Sequence, residues 1–294
     1  MSKVWFITGS SRGLGRDLTQ AALDAGHRVV ATARNPEQLE DLAKRYGDRM
    51  RAVALDVTDP AAARSAVAAA VSAFGRIDVL VNNAGYANVA AIEDADMDDF
   101  RKQFETNYFG VLNVTRAALP VLRKQREGHI IQVSSIGGRM GTPGIASYQS
   151  AKWAVEGLSE VLAAEVAPLG IRVTIIEPGG MRTDWAGASM SISDVQDDYQ
   201  ATVGEVTRRL RKSGDAARGD PAKAAQAILR ITQEKNPPLR LLLGSDAVFF
   251  AEAVANKRKA EDEHWRSLSV STDYDGQVDF AQTPIAQMLV SPRN

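Results

Sequence analysis

The sequence predicts an α/β protein built on a doubly wound parallel sheet. Three observations carry that expectation. Short runs rich in Val, Ile and Leu alternate with longer runs of helical pattern over most of the chain. The short runs are continuously apolar, as strands buried on both faces are. The longer runs are long enough to be the helical crossovers that parallel neighbours require.

Taken in order, Val4–Thr8 is a first strand. Arg16–Ala25 has helical spacing, and Gly26 supplies its C-terminal cap. His27–Thr32, Pro36–Tyr46 and Met50–Asp56 read as strand, helix and strand. Thr58 or Asp59 then offers an N-cap with Pro60 at the first helical position, opening a helix through Phe74. Strand Val79–Asn82, helix Met97–Lys124, strand His129–Ser134, helix Ser150–Ala167 and strand Arg172–Glu177 continue the rhythm. It breaks over Met181–Gly219, which is polar and mixed with no strand pattern. Asp220-Pro221 opens another helix to about Gln233. Leu239–Leu243 is a last buried strand, followed by a helix from about Asp246 to Lys259. From His264 to Asn294 an irregular, partly ordered tail is expected.

Composition narrows the chemistry. The 294 residues are 45% hydrophobic and 24% charged, an ordinary globular balance. The net charge of −1 gives no global pull toward nucleic acid or an anionic membrane. Two small basic runs, Arg208–Lys212 and Lys257–Lys259, have acids nearby and read as solvated helix faces. Cysteine is absent, which excludes disulfides, thiolate nucleophiles and Cys-ligated metals. His27, His129 and His264 are far apart and in no metal-ligand spacing, so no metal is expected. The apolar run at the start is too short for a signal peptide, and no stretch approaches the ~18 apolar residues that span a bilayer. A soluble, cytoplasmic protein with no nucleic-acid or membrane partner is the expectation.

The first strand runs into Thr8-Gly9-Ser10-Ser11-Arg12-Gly13-Leu14-Gly15 and then a helix. Strand, tight turn and helix N-terminus is the context that gives a glycine loop meaning. Gly9 permits the turn, Gly13 lets the backbone approach a pyrophosphate, and Gly15 lets helix and strand pack closely. The helix start offers free N–H groups to the phosphates. The second strand ends Thr32-Ala33-Arg34 without the acid that would bind a ribose 2′-OH. Arg34 and Arg12 suit a 2′-phosphate instead, which favours NADP(H).

Tyr148-Gln149-Ser150-Ala151-Lys152 places a phenol and an ammonium at i and i+4, on one helix face. A free tyrosine has a pKa near 10, and a neighbouring cation lowers it. Ser135 lies 13 residues before Tyr148, and its hydroxyl can donate to a carbonyl while Tyr148 gives the proton. Ser134 is its rival for that role. Asn107 and Gly110 are poor helix formers inside an otherwise helical run, which calls for a reason.

The G-x-x-x-G-x-G spacing of the loop and the Y-x-x-x-K pair resemble the short-chain dehydrogenase/reductase (SDR) family. So do Asn82-Asn83-Ala84-Gly85, Pro178-Gly179 and the Ser135 spacing. The resemblance covers about Lys3 to Pro178 plus the last strand, and shows no departure at these positions. It implies a Rossmann fold and an NADP(H)-dependent oxidoreductase interconverting a ketone or aldehyde and an alcohol. It implies catalytic roles for Asn107, Ser135, Tyr148 and Lys152, with Asn107 bending its helix and holding a relay water. It implies cofactor contacts from Gly9, Ser11, Arg12, Gly13, Leu14, Gly15, Arg34, Tyr148 and Lys152. Asp56 and Val57 would meet the adenine, although Asp56 can also serve as a helix cap. Asn83, Ala84 and Gly85 would line the cleft, and Pro178, Gly179, Met181 and Thr183 would meet the carboxamide.

The domain reading that follows is a dinucleotide-binding and catalytic domain over 1–262, a substrate lid about 182–219, and a tail 263–294. Trp185, Met190, Ile192 and Tyr199 are candidate apolar lid contacts, with Tyr86 and Ile136 opposite. The partner is a small carbonyl or alcohol, and a homodimer or homotetramer through Met97–Lys124 and Ser150–Ala167 is expected. The alternative is a non-catalytic NADP(H)-binding sensor or scaffold, which would be expected to lose Tyr148 or Lys152; both are present.

Overall fold

A computed structural model describes residues 2–183 and 190–290. Seven parallel strands form one sheet in the order β3-β2-β1-β4-β5-β6-β7. They are β1 Val4–Ile7, β2 Arg28–Ala33, β3 Met50–Ala54, β4 Val79–Asn82, β5 Gly128–Val133, β6 Ile171–Pro178 and β7 Arg240–Leu243. The helices are α1 Gly13–Asp24, α2 Glu40–Tyr46, α3 Pro60–Phe74, α4 Met97–Phe104, α5 Gly110–Gln125 and α6 Ala146–Val166. Further along come α7 Glu205–Ala216, α8 Pro221–Ile231, α9 Ser245–Val270 and α10 Pro284–Val290. This is the doubly wound Rossmann arrangement that the alternating pattern predicts.

The sheet is sandwiched between two apolar layers. On one face α1, α2 and α8 bury Leu18, Leu23, Leu42 and Ile228 against Trp5, Ile7 and Val29. On the other, α3, α5 and α6 bury Val67, Leu122 and Leu162 against Phe6, Leu80 and Ile130. The continuous apolar strands therefore find a helix layer on each side. The order of strands reverses between β1 and β4, where β1 leads one half of the sheet and β4 the other. The crevice at that switch point, beyond the strand C-termini, is where such sheets bind ligands.

Several boundaries differ from the sequence expectation. The run Met97–Lys124 is not one regular helix, because a π-helical turn over Glu105–Phe109 separates α4 from α5. The helix expected from Ser150 begins at Ala146, so Tyr148 already lies inside it. The polar stretch 181–219 holds a π-helical turn over Gln200–Gly204 and α7.

The chain divides into compact units Met1–Ala251 and Glu252–Asn294, with α9 running through the division. Where an irregular tail is expected from His264, α9 continues to Val270 and a short α10 follows. Beyond Lys259, where the expected helix stops, the residues to Arg266 are mostly exposed and polar, with strong helix formers such as Ala260 and Glu261. They lack an apolar stripe, so periodicity gave no sign of them. Among the described residues no helix is long and apolar enough to cross a membrane.

Candidate active site

The loop after β1 is shaped by close approaches that only glycine allows. Gly9 and Gly13 have φ of +65° and +52°, in the left-handed region. A Cβ on Gly9 would lie 2.9 Å from Ala84 Cα, and one on Gly15 would collide with the Gly9 carbonyl and the Asn83 amide. Gly15→Ala is therefore expected to cost about 1–3 kcal/mol by overpacking. Urea unfolding checks this, and an unchanged midpoint would show that the helix can shift away at no cost.

Thr8 ties this loop to the end of β4. Its hydroxyl accepts from the Asn83 and Ala84 N–H groups at 2.9 and 3.0 Å. Asn83 Nδ2 donates back to the Thr8 and Gly9 carbonyls at 3.0 and 3.1 Å. Asn82 points the other way, joining Thr115 and Gln132, each at 2.9 Å, and so locks α5 to β5.

The start of α1 suits an anion. Arg12 is extended at the N-cap and makes no side-chain capping bond, and no acid lies in the first turn. The first N–H groups of the helix are thus left for a phosphate. Leu14 turns into the core, leaving only its backbone available, and Ser11 is half-buried. Arg12 and Arg34 are both exposed, and among the described residues neither forms an ion pair with a carboxylate. Arg34 lies close enough to Tyr86 for its charge to favour the phenolate, against a larger effect of burial.

Asp56 does not cap α3; Asp59 does, accepting from Ala61 N–H at 2.7 Å. Asp56 Oδ1 instead holds the Thr58 N–H and hydroxyl at 2.9 and 2.8 Å. Val57 is buried against α5, where a Cβ on Gly110 would lie 2.5 Å from Val57 Cγ2. That close approach is the reason for a glycine inside this helix.

Asn107 is fully buried in the π-helical turn. Its Nδ2 donates to the Tyr86 and Gln103 carbonyls, both at 2.8 Å, and its Oδ1 accepts from Tyr86 N–H at 3.2 Å. Widening the helix by one residue aims this side chain at the segment after β4, as π turns at functional sites often do. A Cβ on Gly85 would sit 2.5 Å from Asn107 Oδ1 and 3.6 Å from Lys152 Nζ. Gly85 thus marks the point where Asn107 and Lys152 converge.

Tyr148 and Lys152 are nearly closed off from solvent, at 7% and 3% exposure. Lys152 Nζ lies 5.5 Å from the Tyr148 ring centre and donates to the Val133 carbonyl at 2.8 Å. Ser135 Oγ hydrogen-bonds Tyr148 and also accepts from Gly137 N–H at 3.0 Å. Ser134 is buried and donates to Glu156 at 2.8 Å, away from Tyr148. Between the two serines, then, the structure brings Ser135 to the tyrosine.

The electrostatics differ from the sequence expectation. Burial pushes Tyr148 up to about 12, and the Ser135 bond offsets this only in part. Burial pushes Lys152 down to about 8, opposed by Glu156. Burial is the larger influence on this phenol and holds it protonated at neutral pH, against the expectation that a neighbouring cation lowers it.

After β6, Gly179 N–H donates to the Leu243 carbonyl at 2.9 Å and Gly180 N–H to Asp246 at 2.8 Å. This anchors the Pro178-Gly179 turn to β7 and the start of α9. Thr183 Cβ comes within 3.4 Å of the place a Cβ on Gly13 would take, so the two sides of the crevice meet there. The Met181 side chain packs on the core. Trp185 lies outside the described residues. Met190, Ile192 and Tyr199 pack with Val89, Ala91, Ile145 and Val203 in a small core of their own. Ser191–Ser193 is clamped to Val89 by backbone bonds of 2.9 Å, and Tyr199 donates to Glu93 at 2.6 Å. These three side chains are thus partly buried in packing of their own. Among the described residues no cluster of His, Asp or Glu is arranged to hold a metal.

A family model described as short chain dehydrogenase matches residues 3–193. The chain belongs to the short chain dehydrogenase family. It is 55% identical to Oxidoreductase BOA17 of Botryotinia fuckeliana (strain B05.10) over 273 residues, covering 92% of this chain and 100% of that protein. A short-chain dehydrogenase structure from Streptomyces avermitilis superposes with a TM-score of 0.87 at 42% identity, covering 93% of this chain and 99% of that one. A short chain dehydrogenase from Burkholderia cenocepacia J2315, solved in complex with NADP, has a TM-score of 0.70 at 28% identity, covering 90% and 97%. This short chain dehydrogenase is accordingly an oxidoreductase.

Sequence reasoning passed over Thr8, Gln103, Glu156, Glu177 and Arg240. Lys152, Glu156 and Glu160 recur at four-residue intervals, a charged stripe on a helix that is otherwise well buried, and that stripe was the available signal. Thr8, Glu177 and Arg240 gave none, since their partners lie 38 or more residues away.

Proposed function

We propose that this short chain dehydrogenase is NADP(H)-dependent and interconverts a ketone or aldehyde and an alcohol, with Tyr148 as general acid and base. The observation that carries the reading is the buried convergence of Tyr148, Ser135 and Lys152 beside an uncapped helix start. A bound nicotinamide dinucleotide would supply or accept the hydride. The residues present fit such a group: the left-handed glycines make room for a phosphate backbone, and the first turn of α1 faces it without an acid. Gly9, Ser11, Arg12, Gly13, Leu14 and Gly15 would hold the pyrophosphate side, with Arg12 and Arg34 on a 2′-phosphate. Asp56 and Val57 would meet the adenine. Asn83, Ala84, Gly85, Tyr148 and Lys152 would meet the ribose side, and Pro178, Gly179, Met181 and Thr183 the carboxamide.

Within this reading the neutral Tyr148 protonates the carbonyl oxygen and Ser135 donates to the same oxygen. The Ser135 oxygen accepts from Gly137, and its hydroxyl, which hydrogen-bonds Tyr148, would turn its proton to the carbonyl oxygen when a substrate enters. Lys152 holds the cofactor ribose, and Asn107 keeps the adjoining segment open to a relay water. Tyr86 and Ile136, both half-buried, line the substrate side. A medium-sized aliphatic or aromatic ketone or secondary alcohol is the substrate class. A homodimer or homotetramer fits the exposed Phe109, Trp153 and Val161 around α5 and α6.

Screening a panel of ketones and aldehydes for NADPH oxidation at 340 nm tests the proposal. Turnover of at least one medium-sized ketone is expected. Tight NADPH binding with no turnover across the panel would favour a sensor or scaffold instead.

A further inference from the structure

Beneath the Ser135 turn lies a linked set of charges, centred on buried Glu156 and Glu177, that the chemistry above leaves unused. Glu156 follows Lys152 by one helical turn, is 4% exposed, and accepts from Ser134 Oγ at 2.8 Å. Arg240, at the start of β7, pairs with Glu156 and reaches Glu177 at 2.6 Å and Glu160 at 2.7 Å. Arg139, four residues beyond Ser135, grips Glu177 with two bonds of 2.8 and 2.6 Å. Glu177 is fully buried at the end of β6. A Cβ on Gly138 would collide with the Glu156 carboxylate and lie 2.7 Å from Ser134 Oγ. The carboxylate therefore forms the floor on which the Ser135–Gly138 turn rests. With Lys152 included, three cations meet three carboxylates across α6, the turn after β5, β6 and β7.

We propose that Glu156 is a positioning residue of this active site: it fixes the end of β5 through Ser134, and hence Ser135, and it is the counter-charge that keeps buried Lys152 an ammonium. The inference rests on the reading of Tyr148, Ser135 and Lys152 given above. A buried ammonium loses its proton unless a partner compensates its desolvation. Burial drives Lys152 down to about 8, and Glu156 is the group that opposes this. The groups around the pair are Tyr148 and Glu160 on α6, Arg139, Glu177 and Arg240. Arg240 is shared with Glu160 and Glu177, so it neutralises Glu156 only in part; burial and Glu177 push the Glu156 carboxyl up, and its bonds from Arg240 and Ser134 favour the carboxylate.

Glu156→Gln keeps the shape and an acceptor for Ser134 but removes the charge. Loss of a nearby negative charge favours the deprotonated form of Lys152, so its titration moves to lower pH. NADPH binding, followed by cofactor fluorescence from pH 6 to 10, should weaken in the parent chain as Lys152 loses its proton near 8. In Glu156→Gln the same midpoint should fall by about one pH unit. Ser134→Ala removes the anchor and keeps the charge; the midpoint should hold while kcat for carbonyl reduction drops about tenfold.

Glu156→Asp retains the charge and should keep the midpoint, which preserves the test if the glutamine variant does not fold. An unmoved midpoint in Glu156→Gln, a moved one in Glu156→Asp, or full kcat in Ser134→Ala would overturn the inference. A parent chain that binds NADPH with this midpoint yet reduces no carbonyl would instead overturn the proposed function alone.

Discussion

Replacing Tyr148 by Phe is expected to remove carbonyl reduction almost entirely while NADPH binding stays within about twofold. The side chain is 7% exposed, so the ring remains as packing and only the hydroxyl is lost. Positioned general acid catalysis contributes about 10²–10⁴-fold. Loss near the upper end is expected, because no other acid among the described groups shares this position: Ser135 is a far weaker proton donor, and Lys152 is directed at the Val133 carbonyl. The phenol, held up to about 12 by burial, stays protonated throughout the working range, so reduction by the parent chain should not fall with rising pH through loss of this proton. Single-turnover absorbance at 340 nm, beside fluorescence titration of NADPH, checks both halves. Retained turnover in the Phe variant would remove Tyr148 from the mechanism.

The second large effect concerns the choice of cofactor. Replacing Arg12 and Arg34 together by Ala is expected to lower kcat/KM for NADPH by about 10²-fold and to leave NADH nearly unchanged. Hydrogen bonds to a charged group contribute about 1.5–3 kcal/mol each, and the exposed setting of both arginines places the pair toward the lower end. Neither guanidinium is committed to a carboxylate among the described residues, so their loss should cost little stability. Parallel kinetics with the two cofactors checks it. Equal losses with NADH and NADPH would mean that the arginines support the loop rather than read the 2′-position.

Much of this site was legible because its chemistry is local. The glycine loop, the Tyr148–Lys152 pair and the Ser135 spacing each sit within one loop or one helix turn, where residue identity and spacing say which groups meet. The doubly wound parallel fold class followed from the same logic, since apolar runs and crossovers leave few alternatives. What stayed hidden depends on distant partners or on desolvation. The direction of the Tyr148 shift is set by burial, which spacing does not report. Glu156 finds Arg240 across 84 residues of chain. Met190, Ile192 and Tyr199 looked like an apolar lid, and only tertiary packing shows them closing a small core of their own. The extension of α9 to Val270 was missed because its few large apolar residues, Trp265, Leu268 and Val270, are exposed and form no sustained stripe.

The π-helical turn over Glu105–Phe109 has a consequence for how this protein can vary. Such a turn is a helix carrying one residue more than its pitch accommodates. Asn107 reaches Gly85 because of that surplus, and α5 presents Gly110 to Val57 on the register the surplus sets. Substitutions around it perturb one contact at a time. Removing one residue within the turn would instead let the helix close to regular α pitch and withdraw Asn107 from Gly85. Removing one from α5 itself would rotate everything that follows by about 100° and turn its buried face toward water. Between Met97 and Gln125, chain length is thus under tighter constraint than composition, and descendants of this sequence can drift in letters there far more readily than in count.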